Sequence, residues 1–341
     1  MILVLGGEHS GRHDFCRSMG VAAADCRTVT ADDARDFAAE HAPCPAFSSV
    51  CCRIASYRAV IATEKGLGII PADAGSRAER EANGRLNVAI ASLADCVVLV
   101  VAGVARVIKG SLAGHERADW QLLVFRHGAT RANLARRYAG CMTDEDLCAP
   151  GREQVVRGRE RLAAFAREVS PAVRAQMLSP RVVYVSPLRR AVQTAELLFP
   201  QAERRVVADL REMDFGLFEN RTADELCADP ATAAAYRAFV DGGGNVPCPP
   251  SAVSPGERVA DFRARQAAAF AHIVREQAAA DDGTHLVTVV AHGGTQMALF
   301  SQFCPWPFCG AGIDPYYAWQ TACGCFRWGR VAVDGVAGVS W

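Results

Sequence analysis

The sequence predicts an α/β protein of two domains, and three observations carry that prediction. Strand-like apolar runs alternate with helix-like segments along the chain, the pattern of parallel sheets with crossover helices. The length of 341 residues exceeds one ordinary core of about 100 to 200 residues. Three of the apolar runs end in charged or imidazole side chains, and in an open parallel sheet ligands bind beyond the carboxyl ends of the strands.

The first domain, residues 1–117, begins with a strand from Met1 to Leu5 that runs into the turn GGEHSGRH and a helix. A polar middle, Thr28 to Pro45, leads to a strand at Arg58 to Thr63 and the turn GLGIIP. A helix over Ser76 to Leu93 and a strand over Cys96 to Gly103 complete a parallel α/β unit. The polar stretch Lys109 to Asp119 reads as the linker.

In the second domain, residues 118–341, the strand Leu122 to Phe125 runs into Arg126 and His127, Val182 to Val185 into SPLRR, and Leu286 to Val290 into AHGGT. Helices are expected over Glu153–Val169, Arg190–Leu198, Thr222–Asp241 with an interruption at Pro230, and Arg258–Ala280. A loop rich in Gly and Pro, Gly242 to Pro255, is placed to lie over a pocket.

Composition narrows the function. Half the residues are apolar, and 37 Lys and Arg balance 37 Asp and Glu, which argues against a disordered chain and an electrostatically driven nucleic-acid binder. A small-molecule partner is expected. Neither a run of about 18 apolar residues nor a basic segment ahead of the first strand is present, so the expectation is a cytoplasmic protein without a membrane partner. The 14 cysteines then read as reduced thiols, not a disulfide scaffold. Cys304, Cys309, Cys323 and Cys325 lack the usual paired zinc spacing and sit among Trp306, Phe308 and Phe326, so they read as apolar core. Cys51 and Cys52 are expected on opposite faces of a strand.

Arg126, His127, Arg190 and His292 together offer two guanidinium charges and two imidazoles, with Gly128, Gly293 and Gly294 permitting close backbone approach. That is a pocket for a dianion, because guanidinium groups match phosphoryl oxygens bidentately and such clamps stabilise phosphoryl transfer. An imidazole can also attack phosphorus and divide one hard step into two easier ones, and His127 beside Arg126 is the candidate nucleophile. A leaving alkoxide needs a proton, and LREMDFG offers Glu212, with Asp214 as the fallback. No metal or organic cofactor is required. Read singly, each histidine could equally be a satisfied core residue, and Asn133 could be a helix cap.

Four blocks in order, FRHGATRAN (Phe125 to Asn133), SPLRRAVQTAELL (Ser186 to Leu198), LREMDFG (Leu210 to Gly216) and VVAHGGT (Val289 to Thr295), resemble the histidine phosphatase, or phosphoglycerate-mutase-like, superfamily, closest to the α-ribazole phosphatases. The resemblance covers residues 120–341 and implies a three-layer α/β/α sandwich. It makes His127 the phosphorylated nucleophile and Glu212 the proton donor and then the base for water. It makes His292, Arg126, Arg190, Asn133, Gly128, Thr130 and Gly293 the remainder of the phosphate pocket. The family's spacing SPLxRAxQTA selects Arg190 over Arg189.

The N-terminal turn has the GxxxxG spacing of a phosphate-binding loop, with Gly6, Gly7, Ser10, Gly11 and Arg12 as a vestigial nucleotide site. Arg12 and His13 stand where a working loop has Lys and Ser or Thr, and imidazole suits Mg²⁺ poorly. MILVLGGEHSG and the stretch Gly66 to Gly110 resemble adenosylcobinamide kinase/adenosylcobinamide-phosphate guanylyltransferase over about residues 1–112. That family's acidic strand-end ligand and RIxxHxxxR segment are missing, and His41 sits in no such context. A shortened P-loop-like relative without kinase or guanylyltransferase activity is therefore expected, serving as a docking or oligomerisation unit of a homo-oligomer. The fusion points to removal of the 5′-phosphate from α-ribazole phosphate or adenosylcobalamin phosphate. The alternatives are a broad-specificity phosphatase, a phosphoglycerate mutase, and a nucleotide- or corrinoid-binding pseudoenzyme.

Overall fold

The computed structural model describes residues 1–40, 48–65, 71–110, 112, 120–244, 246–280, 285–303, 316 and 319–331. Their strands form two separate five-stranded sheets in a mixed α/β architecture. The first contains β1 (Ile2–Gly6), β2 (Cys26–Thr28), β3 (Ala59–Thr63), β4 (Cys96–Val101) and β5 (Val104–Lys109), in the order β2-β3-β1-β4-β5. All its neighbours are parallel except β5, which folds back on β4 as a hairpin. Helices α1 (Arg12–Ser18), α2 (Ala31–Glu40), α3 (Ser49–Ala55) and α4 (Ala74–Leu93) connect the strands. Apolar runs such as Ile2–Leu5 are continuous, not alternating, because a parallel sheet is covered on both faces. Accordingly, one cluster built on Leu3, Val60 and Leu86 and another on Val4, Ile61 and Val98 flank this sheet.

Two sequence expectations change here. Cys51 and Cys52 lie in α3, capped by the Ser48 side chain accepting from the Cys51 N–H at 3.1 Å, so an N-cap and a helical turn replace the expected strand. The stretch just before the expected linker contains β5, whose six residues are all exposed and so carry no burial pattern to read. His41 and most of the residues from 111 to 119 lie outside the described residues, as do Cys304 and Cys309.

The second sheet runs β10-β6-β9-β7-β8. In chain order its elements are β6 (Gln121–Arg126), α5 (Arg131–Leu134), α6 (Ala149–Ala166), α7 (Pro171–Leu178), β7 (Val182–Val185), α8 (Arg189–Leu198), β8 (Glu203–Val206), α9 (Ala223–Ala228), α10 (Ala233–Asp241), α11 (Val259–Ala279), β9 (Leu286–Ala291), α12 (Gly293–Phe303) and β10 (Phe326–Arg330). The helical stretch around Pro230 divides into α9 and α10, because Pro disfavours helical backbone in the residue before it and supplies no N–H. Strands β6, β9, β7 and β8 are parallel, and β10 closes the β6 edge antiparallel. One core cluster, with Val124, Phe270, Val289 and Phe300, and another, with Phe125, Leu162, Val183 and Val290, cover the sheet's two faces.

Register decides where the chemistry lies. Arg126 pairs with Ala291, and Val185 pairs with Val290, so three parallel strands end side by side. The His127 N–H donates to Ala291 O at 3.0 Å and the Ser186 N–H to Val290 O at 3.1 Å, which carries the alignment one residue past the strands. Helix α6 approaches the same loop through Gly151, where an added Cβ would overlap Ala129 O, and a Cβ on Gly128 would overlap Gly151 O. Replacing Gly151 with Ala is expected to cost about 1–3 kcal/mol by forcing α6 off the loop. Thermal unfolding checks this, and an unchanged melting temperature would show that the backbone contact is dispensable.

Candidate active site

Four side chains predicted from sequence meet at the strand ends, His127, Arg190 and His292 buried and Arg126 half-buried. His127 is 3% exposed, and Arg190 and His292 are fully buried. Nδ1 of His127 lies 2.7 Å from Gly128 O, an acceptor only, so Nδ1 carries the proton and Nε2 the lone pair. Nε2 accepts from Arg190 Nε at 3.2 Å. The His292 ring stands edge-on to His127, with centroids 5.2 Å apart, and its Nε2 lies 2.7 Å from Ser186 Oγ. Arg126 donates from Nη1 to Thr321 O at 2.7 Å, and Arg126 Nε and His292 Nδ1 are buried with no partner among the described residues.

Arg190, the second residue of α8, turns into the protein, whereas Arg189 is exposed and pairs with Asp146 at 2.6 Å. The guanidinium of Arg190 donates to the carbonyls of Thr143, Ala139 (3.2 Å) and Gly140 (3.0 Å). That loop is in turn held by Glu219, whose carboxylate accepts from the N–H of Gly140 at 3.0 Å, the N–H of Met142 at 3.1 Å and the Thr143 hydroxyl at 2.7 Å. Thr194, one helical turn after Arg190, accepts the Gly128 N–H at 3.1 Å and donates to Arg190 O at 2.7 Å. Gly128 therefore contributes its carbonyl to the histidine, while its N–H is engaged by Thr194.

Glu212 reaches the start of α12 from the loop after β8. Its carboxyl accepts from the N–H of Met213 at 2.9 Å and of Gly294 at 3.2 Å, and a Cβ on Gly294 would overlap it. Asp214 is directed elsewhere: it accepts from the N–H of Gly216 at 2.9 Å and from the Ser254 hydroxyl. The geometry thus favours Glu212 over its fallback. A Cβ on Gly293 would overlap the Gln320 side chain. Thr130 and Asn133 form a capping box on α5, the Asn133 carboxamide oxygen accepting from the Thr130 N–H at 3.1 Å. Thr130 ends the loop that follows His127 and Asn133 lies in α5, with its carboxamide oxygen turned back to the Thr130 cap.

Burial acts in opposite directions on these groups. It holds His127 well below the ordinary imidazole value, helped by the charges of Arg190 and Arg126. Burial, then Arg190 and the neighbouring His127, do the same to His292. For Glu212, burial raises the carboxyl above its ordinary value against the opposing pull of the Met213 N–H and the Arg190 charge. The site therefore combines neutral imidazoles, fixed guanidinium charge and a carboxyl inclined to keep its proton.

A cavity of about 480 Å³ opens beside Glu212 and Gly294. Its walls include Tyr138, Phe215, Tyr236, Phe239, Phe262 and Tyr316, and among the described lining residues there is no lysine or arginine. The hydroxyls of Tyr138 and Tyr236 are 2.9 Å apart. From the Gly242 to Pro255 loop, Gly243 reaches this cavity. Elsewhere, Cys141 Sγ and the carboxylates of Asp214 and Glu219 lie within 4.8 Å of one another. There the Glu219 oxygens hold three donors and burial, with the nearby carboxylates, pushes the Cys141 thiol up to about 11, so this is a hydrogen-bonded corner and not a set of ready metal ligands. Cys323 and Cys325 are half-buried, and Cys325 Sγ accepts from Arg161 at 2.9 Å.

The N-terminal turn is placed differently. His9 and Gly11 take left-handed backbone, with φ of 57° and 91°, and Arg12 folds inward, 8% exposed, to donate to Ala62 O at 2.6 Å and Thr63 Oγ1 at 3.0 Å. Ser10 Oγ is buried over Gly6, and Ser10 O accepts from the Gly103 N–H at 2.9 Å. The charge that would meet a phosphate is engaged by the end of β3, while Gly7 has open space around it.

The histidine phosphatase superfamily (branch 1) model matches residues 122–311. The chain belongs to this superfamily. It is an enzyme of the histidine phosphatase type, and its C-terminal sheet carries that fold. Comparison with curated proteins returns no match. Among solved structures it is similar to the α-ribazole phosphatase of Shigella flexneri (22% identity, TM-score 0.46, covering 65% of this chain and 100% of that one). It is also similar to a mycobacterial glucosyl-3-phosphoglycerate phosphatase (26%, 0.45, 61% and 90%) and to a phosphoserine phosphatase of Entamoeba histolytica (20%, 0.45, 62% and 93%).

Sequence reading of this histidine phosphatase missed Thr194, Glu219 and Gln320. Thr194 had a signal, its position one turn after Arg190 on the same helix face; Glu219 had none, because two of its three donors are backbone N–H groups 77 and 79 residues away. The shifts set a pH profile. A reaction in which neutral His127 attacks and protonated Glu212 donates predicts that kcat/KM for an alkyl phosphate does not begin to fall at pH 6.5 on acidification and that its basic limb starts above 4.5. A pH–rate series with wild type and Glu212→Gln reads this: the variant should lose the basic limb, and an acid-side midpoint at or above pH 6.5 would contradict a buried neutral nucleophile.

Proposed function

We propose that this protein hydrolyses phosphomonoesters through a phosphohistidine, with α-ribazole 5′-phosphate or the related adenosylcobalamin 5′-phosphate as substrate. The observation that carries the chemistry is His127 itself: Nδ1 is tied to Gly128 O, and the Nε2 lone pair lies beside a buried guanidinium. Nε2 attacks phosphorus in line, the P–O ester bond breaks, and Glu212 gives its proton to the leaving oxygen. Arg190, Arg126 and His292 hold the non-bridging oxygens as charge develops. The Glu212 carboxylate then takes a proton from water, whose oxygen attacks phosphorus; the P–N bond breaks, which releases phosphate and restores the imidazole.

The substrate reading rests on two supports. The aromatic cavity beside Glu212 suits a planar apolar aglycone, such as the dimethylbenzimidazole of α-ribazole, and its described lining residues offer no cation to the carboxylate of a phosphoglycerate. Its size fits a nucleoside better than a corrin macrocycle, which ranks the ribazole ester first. The second support is the likeness of residues 1–112 to a cobinamide kinase, fused at about residue 118. We read that N-terminal sheet as a docking scaffold that has given up nucleotide chemistry. Its α3 meets the histidine phosphatase part through the Arg53–Glu168 ion pair at 2.7 Å and the Ser170 N–H donating to Ser56 Oγ at 3.1 Å.

Phosphate release from α-ribazole 5′-phosphate, p-nitrophenyl phosphate and 3-phosphoglycerate tests the reading, with wild type and His127→Ala. The ribazole ester should be preferred, and His127→Ala should lose several orders of magnitude in turnover. Equal slow turnover of all three would replace this reading with a broad-specificity phosphatase, phosphate transfer between phosphoglycerates with a mutase, and no turnover with a pseudoenzyme. For the N-terminal sheet, millimolar GTP or ATP with Mg²⁺ should produce no heat and no thermal shift. Saturable binding lost in Arg12→Ala would overturn the scaffold reading.

A further inference from the structure

The residues that hold Glu212 in place lie outside every block that suggested the family, on the loop before α11 and on α11 itself. Arg265, 13% exposed at its side chain, forms a two-pronged ion pair with Glu257, 14% exposed, through Nε to Oε1 at 3.0 Å and Nη2 to Oε2 at 2.8 Å. The remaining donors of the guanidinium go to three carbonyls of the acid's own segment: Asp209 O at 2.7 Å, Arg211 O at 3.0 Å and Glu212 O at 3.4 Å. Glu257 grips the same segment from its other end, its N–H donating to Asp214 O at 2.9 Å and its carboxylate accepting the Asp214 N–H at 3.2 Å. Gln266, fully buried, adds bonds to Asp209 O at 2.9 Å and Arg211 O at 3.1 Å. The guanidinium also lies over the Phe262 ring, 5.1 Å from its centroid, and Phe262 borders the cavity.

The geometry points to Arg265 and Glu257 as positioning residues for the proton donor, a clamp that fixes the backbone on both sides of Glu212 and so aims its carboxyl at the leaving oxygen. Neither side chain is among the residues that hold His127 or Arg190, so the clamp serves protonation of the leaving group and not attack on phosphorus. A loop backbone left free to rotate would lose that aim, and small misplacements of a catalytic group cost large factors in rate. Lysine cannot replace Arg265, because a point charge cannot bridge a carboxylate bidentately and reach three carbonyls at once.

This inference rests on the phosphohistidine reading, and its test separates the two. p-Nitrophenolate leaves without needing a proton, whereas an alkoxide does not. Because kcat/KM reports only the steps up to loss of the leaving group, Arg265→Met and Arg265→Lys should lower kcat/KM for an alkyl phosphomonoester such as β-glycerophosphate by at least tenfold, change kcat/KM for p-nitrophenyl phosphate by less than threefold, and leave inhibition by vanadate unchanged. Glu212→Gln is the reference for that pattern. Glu257→Gln, which keeps the volume of the side chain, should repeat it and stands in if the arginine variants do not fold. Equal losses on both esters, or no loss on either, would overturn the clamp while leaving phosphohistidine chemistry intact. Failure of the wild type to release phosphate from either ester would instead overturn the reading beneath it.

Discussion

A guanidinium with no exposure to water is the constraint around which this site is built. Burying an ion is unfavourable unless its donors are satisfied, and removing the partners of a buried charge is strongly destabilising. Arg190 meets that demand without a carboxylate on its own donors: three carbonyls of the Ala139–Thr143 loop and the imidazole of His127 surround it. An acidic partner would have neutralised the charge before any phosphate arrived. Carbonyl dipoles satisfy the hydrogen bonds and leave the positive charge available. The carboxylate the arrangement does need, Glu219, stands one layer out, fixing the loop and not the guanidinium.

Parallel register then does for position what Arg190 does for charge. Because β6, β9 and β7 run in the same direction, their carboxyl ends fall on one edge, and residues 127, 186 and 292 arrive there from points up to 165 residues apart in the chain. The α12 start adds backbone N–H groups at that edge, one of which meets Glu212. A slip of one residue in any of these strands would turn its terminal side chain to the opposite face.

Sequence reading reached β1, β3, β4, β6, β7 and β9, though not β2, β8 or β10, together with the three loaded strand ends and the choice of Arg190 over Arg189, because each leaves a local trace: an apolar run, a charged residue at its end, a fixed spacing in SPLRRAVQTA. It did not reach β5, whose exposure leaves no alternation, or the helix at Cys51 and Cys52, which is too short to show a period. Nor did it reach Glu219, Arg265 or Glu257. Those residues act on backbone groups 43 to 79 positions away, and a backbone N–H or carbonyl has no letter in the sequence. Side chains that meet substrate are legible by chemical type, whereas those that aim them are legible only in three dimensions.

One environment moves two titratable groups in opposite directions. The positive charges of Arg190 and Arg126 lower the affinity for protons of His127 and Glu212 alike, so charge alone would give a good nucleophile and a poor acid. Burial breaks the symmetry, because desolvation penalises whichever form is charged: it removes a proton from imidazole and retains one on carboxyl. At His127 the two effects add, and at Glu212 they oppose, with burial the larger. The carboxyl stays a donor only while its segment stays packed against Arg265 and the aromatic cavity. Letting water in beside Glu212 would lower its proton affinity, so the packing of α11 against the acid's loop is itself part of the acid's chemistry.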